Sequence, residues 1–132
     1  MFPAAITIGG ITHRVEPPDY ATRLDVAYRY GKQVQRENEG KPGAGSFLHA
    51  AVIALHCPSI QVVPAYDGDP DNWHQFCRAA YNAIAAFGPF TQEDLKSAGF
   101  SLINVCFECR FPSRGEIQER LDFSPAQAGQ TT

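Results

Sequence analysis

Two pairs of histidine and cysteine residues stand at the spacing of metal ligands. His74 and Cys77 form an HxxC pair, and Cys106 and Cys109 form a CxxC pair. Thiolates and imidazoles are the ligands that tetrahedral zinc prefers, and two close pairs are its usual supply. Zinc knuckles generally carry glycine or proline beside the ligands, and neither pair does. The pattern therefore favours buried core cysteines, with a zinc site at these four residues as the open alternative.

The sequence gives weaker support to two further kinds of thiol chemistry. A redox CxxC needs a helix N-terminus to lower the pKa of its thiol, and Cys106 comes late in its element. His56 and Cys57 could suggest a nucleophile and its base, but neighbouring helical residues point about 100° apart and do not face each other. We interpret His56 as the end of a helix, where the dipole favours histidine.

Acidic residues and glycines form no catalytic or ligand-binding motif. Asp67, Asp69 and Asp71 alternate, but the downstream glutamate of a calcium loop is missing, since position 78 is Arg78. Helix capping explains these acids better. Neither glycine-rich stretch ends in the GKS/T of a phosphate loop. We predict no enzyme, and we assign no catalytic, cofactor-binding or metal-ligating residue.

The composition limits the class of protein. The 132 residues, 44% of them hydrophobic, predict a single domain over residues 1–132 with a real core. The net charge of −3 does not favour nucleic-acid binding, and no apolar run reaches the length of a membrane span. The N-terminal residues show no secretory pattern, so we expect reduced thiols in a cytoplasm.

A short hairpin and a helical body must position these residues. Gly9 and Gly10 separate two β-branched runs, which predicts a hairpin over residues 5–16. A surface helix should start near Asp19, with a narrow apolar face made by Tyr20, Leu24, Ala27, Tyr28 and Val34. The glycines and proline of residues 37–45 predict a loop. Residues 47–56 predict a helix that is apolar nearly all round, with Ser46 as its N-cap.

The second half of the chain contains the best helical pattern and one ambiguity. The helix that starts at Asp69 and Pro70 has an apolar stripe made by Trp73, Phe76, Cys77, Ala80, Tyr81, Ile84 and Phe87. Another helix should start near Thr91, but residues 100–111 fit both a helical stripe and a strand alternation. We predict a mainly α fold with an N-terminal hairpin, a four- to five-helix body over 18–122 and a flexible tail over 123–132. The alternative is an α+β fold with a strand near 102–111.

The layout resembles the small tail assembly chaperones of tailed bacteriophages. The resemblance rests on the Ile-x-Ile-Gly-Gly segment (residues 6–15), the charged helix after it, the Ala/Leu-rich middle helix, the Asp69–Pro70 helix and the late segment 116–124. It implies a mostly helical protein without catalysis that keeps a long, hydrophobic tape-measure protein soluble until tail-tube subunits polymerise around it. It also implies a protein partner and a place in the host cell cytoplasm.

The partner could be recognised by an apolar groove that takes an amphipathic helix. The phenylalanines Phe47, Phe87, Phe90 and Phe100 are possible groove residues, although they suit a core equally well. The tyrosines Tyr20, Tyr28 and Tyr30 of the first helix could form a contact surface. The alternatives are a minor virion structural or tail-completion subunit, in which the hairpin would add a strand to a neighbour's sheet, and a small zinc-binding interaction module.

Overall fold

A computed structural model describes residues 2–41 and 45–110, with side chains up to residue 106. The hairpin strands β1 (Ala5–Ile8) and β2 (Ile11–Arg14) precede four helices: α1 (Tyr20–Asn38), α2 (Ser46–His56), α3 (Trp73–Ala85) and α4 (Gln92–Arg110). The fold is mainly α with an N-terminal hairpin, as predicted. The predicted tail over 123–132, and any element after residue 110, lie outside the described residues.

The hairpin forms where the two glycines allow a tight turn. Gly9 and Gly10 have φ values of 58° and 81°, which side chains with a Cβ rarely adopt. A Cβ on Gly9 would also lie 2.3 Å from the carbonyl oxygen of Pro89. The strands pair antiparallel, with Ile6 opposite His13, and the side chains of Ile6 and Ile8 are buried. One face of the hairpin therefore belongs to the core of the helical body.

Helix α1 begins where the sequence predicts but buries a different face. The Asp19 side chain accepts a hydrogen bond from the backbone N–H of Thr22 at 2.8 Å, and so caps the helix. The buried residues are Val26, Ala27 and Tyr30. The predicted face was mostly wrong, because Tyr20, Tyr28 and Val34 are 43%, 50% and 38% exposed.

Helix α2 is the central element of the core, as its all-round apolar sequence predicts. Seven of its residues are buried: Leu48, His49, Ala50, Ala51, Val52, Ile53 and His56. The predicted N-cap at Ser46 was wrong, since Gly45 caps the helix and the Ser46 hydroxyl instead donates a hydrogen bond to the Gln92 side chain.

Helix α3 buries most of its predicted stripe, and a short 3-10 turn precedes it. The turn spans Pro70–Asn72, so the α-helix itself begins at Trp73. Five residues of the stripe are buried: Trp73, Phe76, Cys77, Ala80 and Ile84. Phe87 lies beyond the helix and is 43% exposed.

Helix α4 resolves the ambiguity over residues 100–111 in favour of a helix. It is continuous to Arg110, so the alternative strand is wrong over the described residues. Its buried side chains recur at helical spacing: Leu95, Ala98, Leu102, Ile103 and Cys106. Gly99 lies within the helix, where it faces His49 of α2.

The helices are arranged around α4 and α2. Helix α4 packs against β1, α1 and α2, and α2 packs against α3. Within the described residues, α1 and α3 do not pack closely against each other, so their side chains border an open cleft. None of the described helices combines the length and the apolar character that crossing a membrane requires.

Candidate functional site

The structure does not bring the four residues of the alternative zinc site together in the part of the chain that it describes. His74 is exposed on the surface of α3, whereas Cys77 is 1% exposed and belongs to the core. Cys106 is fully buried on α4, and the side chain of Cys109 lies outside the described residues. Among the described residues, no group of three histidine, cysteine or acidic side chains could hold a metal ion.

Cys106 instead contacts His56, a pairing that the sequence analysis missed. The Cys106 Sγ lies 3.4 Å from His56 Nε2, and His56 Nδ1 lies 2.7 Å from the carbonyl oxygen of Val52. Because a carbonyl only accepts, Nδ1 donates to it, and Nε2 of the neutral ring accepts from the thiol. Burial lowers the pKa of His56, which favours this neutral ring.

This pair has the composition of a nucleophile and its base but not the accessibility. Neither Cys106 nor His56 exposes any surface to solvent. A substrate could reach them only if the core opened, so the contact satisfies two buried polar groups. The neighbouring Cys57 is also buried, and burial raises the pKa of its thiol to about 12.

Asp67 and Asp69 form capping hydrogen bonds at the 3-10 turn that precedes α3, so the capping interpretation holds for this turn. The backbone N–H of Asp69 donates to the Asp67 side chain at 2.8 Å, and the N–H of Asp71 donates to the Asp69 side chain at 2.9 Å. The Asn72 amide donates to the second Asp67 oxygen at 2.9 Å. These carboxylates therefore order the turn that places Trp73 at the start of the helix.

The feature with the clearest capacity to bind a ligand is the cleft between α1 and α3, which we call the basic cleft. Its volume is about 720 Å³. Ten residues line it: Tyr28, Arg29, Lys32, Gln33, Arg36, Phe47, Trp73, His74, Cys77 and Arg78. Four of them are permanent cations and none is acidic, although the whole chain carries a net charge of −3.

Aromatic rings hold most of the cations of the basic cleft. The Arg29 guanidinium lies 4.9 Å from the centre of the Trp73 ring, and Arg78 lies 5.9 Å from the centre of Phe47. Lys32 Nζ lies 5.8 Å from the ring of Tyr28 on the preceding turn of α1. Each contact positions a charge over an aromatic face, and such contacts strengthen where water is excluded.

The cations of the basic cleft differ in how far their charge is already balanced. Arg29 Nε donates to Asp25 Oδ2 at 3.0 Å, and the Tyr66 hydroxyl donates to the same carboxylate. Among the described side chains, no carboxylate forms an ion pair with the cations Lys32, Arg36 and Arg78. Arg29 is thus part of the protein's own framework, and the other three charges can meet a ligand.

Gln33 adds a polar group without a partner to the basic cleft. Its Nε2 is buried, and no described residue accepts a hydrogen bond from it. A buried donor of this kind costs on the order of 1–3 kcal/mol when it stays unpaired. A ligand that brings an acceptor oxygen into the cleft would remove that cost.

Cys77 contributes packing and no reactive thiolate to the basic cleft. Burial raises the pKa of its thiol to about 12, so the thiol form dominates at neutral pH. Only the thiolate is a nucleophile or a zinc ligand.

The phenylalanines that the sequence analysis named do not share one groove. Phe47 lies in the basic cleft and contacts the ring of Tyr81 at 5.0 Å, and Phe90 contacts the same ring at 5.5 Å. Phe87 packs against His13 of the hairpin at 4.8 Å. Phe100 lies elsewhere, against His49 at 5.1 Å.

The tyrosines of α1 divide in the same way. Tyr28 lines the cleft, and Tyr20 is exposed. Tyr30 is 5% exposed and packs in the core, so it cannot belong to a contact surface.

Sequence reasoning missed the basic cleft because it lies between helices that are distant in the chain. One signal was present on α1, since Arg29, Lys32 and Arg36 recur at helical spacing and share one face. Comparison of the chain with protein-family models, curated proteins and solved structures finds no match.

Proposed function

We propose that this protein is a non-enzymatic assembly protein of a phage tail, which binds the tape-measure protein in the host cell cytoplasm before the tail tube forms. The basic cleft is the observation that carries the proposal. It offers about 720 Å³ of open volume lined by aromatic and cationic side chains, a composition that protein interfaces favour. The assignment to a phage tail rests on the resemblance in layout to tail assembly chaperones.

Helix-in-groove recognition is the binding mode that suits this cleft. Helices α1 and α3 do not pack closely against each other over the described residues, so one face of a partner helix can enter the cleft beside the Arg29–Trp73 contact. Phe47 is 37% exposed and would become buried on binding. Trp73 is only 8% exposed in the free protein, so its side chain needs little further ordering. The side chains that would meet the partner are thus partly held in place beforehand, which lowers the entropy cost of binding.

The test is capture of the tape-measure protein by the full chain. We would co-express the chain with the tape-measure protein of the same gene cluster and measure how much of it is recovered in soluble form. Phe47→Ala should lower the affinity by about tenfold, since truncation of an interface aromatic typically has effects of this size.

Phe87→Ala is the matched control, because Phe87 is 43% exposed but packs against the hairpin outside the cleft. It should leave recovery unchanged. Failure of the unaltered chain to keep the tape-measure protein soluble would overturn the proposal. Retention of the chain in purified particles would favour a virion structural or tail-completion subunit, since a chaperone should leave.

A further inference from the structure

We propose that the basic cleft takes one face of an acidic amphipathic helix of the partner, about two turns long. This inference rests on the proposed function of the cleft as a protein-binding site. It names the chemistry of the bound segment: carboxylates at helical spacing beside apolar side chains.

The cations on α1 have the spacing of a helix-recognition surface. Arg29, Lys32 and Arg36 stand at i, i+3 and i+7, so they follow one face of the helix. The lining residues of α1 run from Tyr28 to Arg36, which corresponds to about 12 Å along the axis. That length matches about two turns of a second helix. Glutamates at i and i+4 of that helix could meet Lys32 and Arg36 together.

Charge complementarity fixes the sign of the occupant. Lys32, Arg36 and Arg78 line the cleft from α1 and α3, and no described carboxylate pairs with any of them. A ligand with carboxylates on the facing side would neutralise charges on both walls. A basic or neutral segment would leave three cations close together without compensation.

The rest of the lining favours a segment that is also apolar. Phe47 and Tyr28 are 37% and 50% exposed, so each ring has surface left to bury. The buried Nε2 of Gln33 lacks an acceptor among the described residues, and a glutamate of the occupant would supply one. Aromatic surface, cations and an unpaired donor together match an amphipathic acidic helix.

A nucleic acid fits these observations less well than an acidic helix does. The net charge of −3 repels a long polyanion at a distance, whereas a short acidic helix meets mainly the local charge of the cleft. The cations of the cleft are also few, since about 12 Å of α1 and Arg78 of α3 carry all four of them, which is a short track for a phosphate backbone.

The experiment uses the fluorescence of Trp73, which is the only tryptophan in the chain and lines the cleft. The full chain is titrated with a tryptophan-free helical peptide of about 16 residues, long enough to hold helical structure. Its glutamates lie at i, i+4 and i+7 beside leucines. A second peptide of identical composition distributes the glutamates around the helix. We expect a saturable change with the first peptide, weakened by salt, and a much weaker response to the second.

Charge reversal at the cleft supplies the control variants. Lys32→Glu should weaken binding of the acidic peptide by about tenfold, because it replaces an attraction by a repulsion. Lys96→Glu changes the net charge equally at an exposed position on α4 outside the cleft, and should leave the affinity unchanged. Circular dichroism confirms that both variants fold.

Three results would overturn the inference: equal binding of both peptides, equal loss of affinity in Lys32→Glu and Lys96→Glu, or tighter binding of a single-stranded oligonucleotide than of the acidic peptide. Failure of the proposed function looks different. If the acidic peptide binds but the tape-measure protein is not captured, the cleft serves another protein. If the tape-measure protein is captured equally by Lys32→Glu, the partner is correct and the acidic helix is wrong.

Discussion

Substitution of Gly99 by alanine should destabilise the protein, although alanine is the better helix former. Gly99 lies inside α4, where the helix approaches α2 at His49. A Cβ added there would lie 2.5 Å from His49 Nδ1, 3.0 Å from its Cβ and 3.1 Å from its Cγ. The first of these distances is far below van der Waals contact, so one of the two helices must shift.

The magnitude follows from two opposing contributions. Replacing a helical glycine by alanine gains about 1 kcal/mol of helix propensity. His49 cannot move aside easily, because it is 8% exposed and its ring packs against Tyr30 at 5.7 Å and Phe100 at 5.1 Å. Overpacking that forces such a shift costs about 1–3 kcal/mol, and separating α4 from α2 weakens one of the two most extensive helix–helix contacts of the core. We expect a net loss of up to about 2 kcal/mol, equivalent to a fall in Tm of up to about 7 °C.

Urea denaturation of a double-mutant cycle measures this effect. Gly99→Ala is compared with His49→Ala and with the double variant, in which the ring that causes the clash is absent. In the His49→Ala background, Gly99→Ala should destabilise the protein less, because the ring is absent and only the Cβ of residue 49, at 3.0 Å, still opposes the gain in helix propensity. An increase in stability in the unaltered protein, or the same change in both backgrounds, would refute the reasoning.

Two further predictions concern buried titratable groups. Burial lowers the pKa of His13, His49 and His56 from 6.5, so below about pH 6.5 the unfolded chain binds protons that the folded chain resists. Stability should therefore be greatest above pH 6.5 and fall towards pH 5, and an unchanged Tm between pH 8 and pH 5 would contradict this. Cys57 and Cys77 have thiol pKa values of about 12, so native protein at pH 8 should react with iodoacetamide far more slowly than unfolded protein at these two sites. Mass spectrometry of the alkylated peptides measures both rates, and equal rates would mean that the two thiols are not sealed in the core.

The elements that the sequence predicted well are those specified by local signals. The Gly9–Gly10 turn, the start of α1 near Asp19 and the largely apolar helix α2 each depend on residues within a few positions of one another. The stripe of α3 is equally local, since Trp73 to Ile84 already show helical spacing in the sequence. For residues 100–110 two periods competed, and burial of Leu102, Ile103 and Cys106 decided in favour of the helix.

The features that sequence reasoning missed depend on contacts between distant residues. His56 and Cys106 are 50 positions apart, and no local pattern links them. The prediction of the buried face of α1 was mostly wrong for a related reason, because tyrosine suits either side of a helix. Tyr30 packs against His49 of α2, whereas Tyr28 remains at the cleft. The basic cleft could not be predicted because it depends on where both α1 and α3 lie. Their packing against α4 and α2 determines this.

The contacts of α4 impose an order on folding during synthesis. The hairpin is made before the helices, but a two-stranded hairpin alone is marginally stable in water. Its supports arrive late: β1 packs against α4, and the backbone N–H of Gly9 donates to the Asp94 side chain at 3.1 Å. Helix α1 also packs against α4, so both of the first elements must wait for the last described helix. The faces of β1, α1 and α2 that pack against α4 therefore stay uncovered in a nascent chain until α4 has left the ribosome.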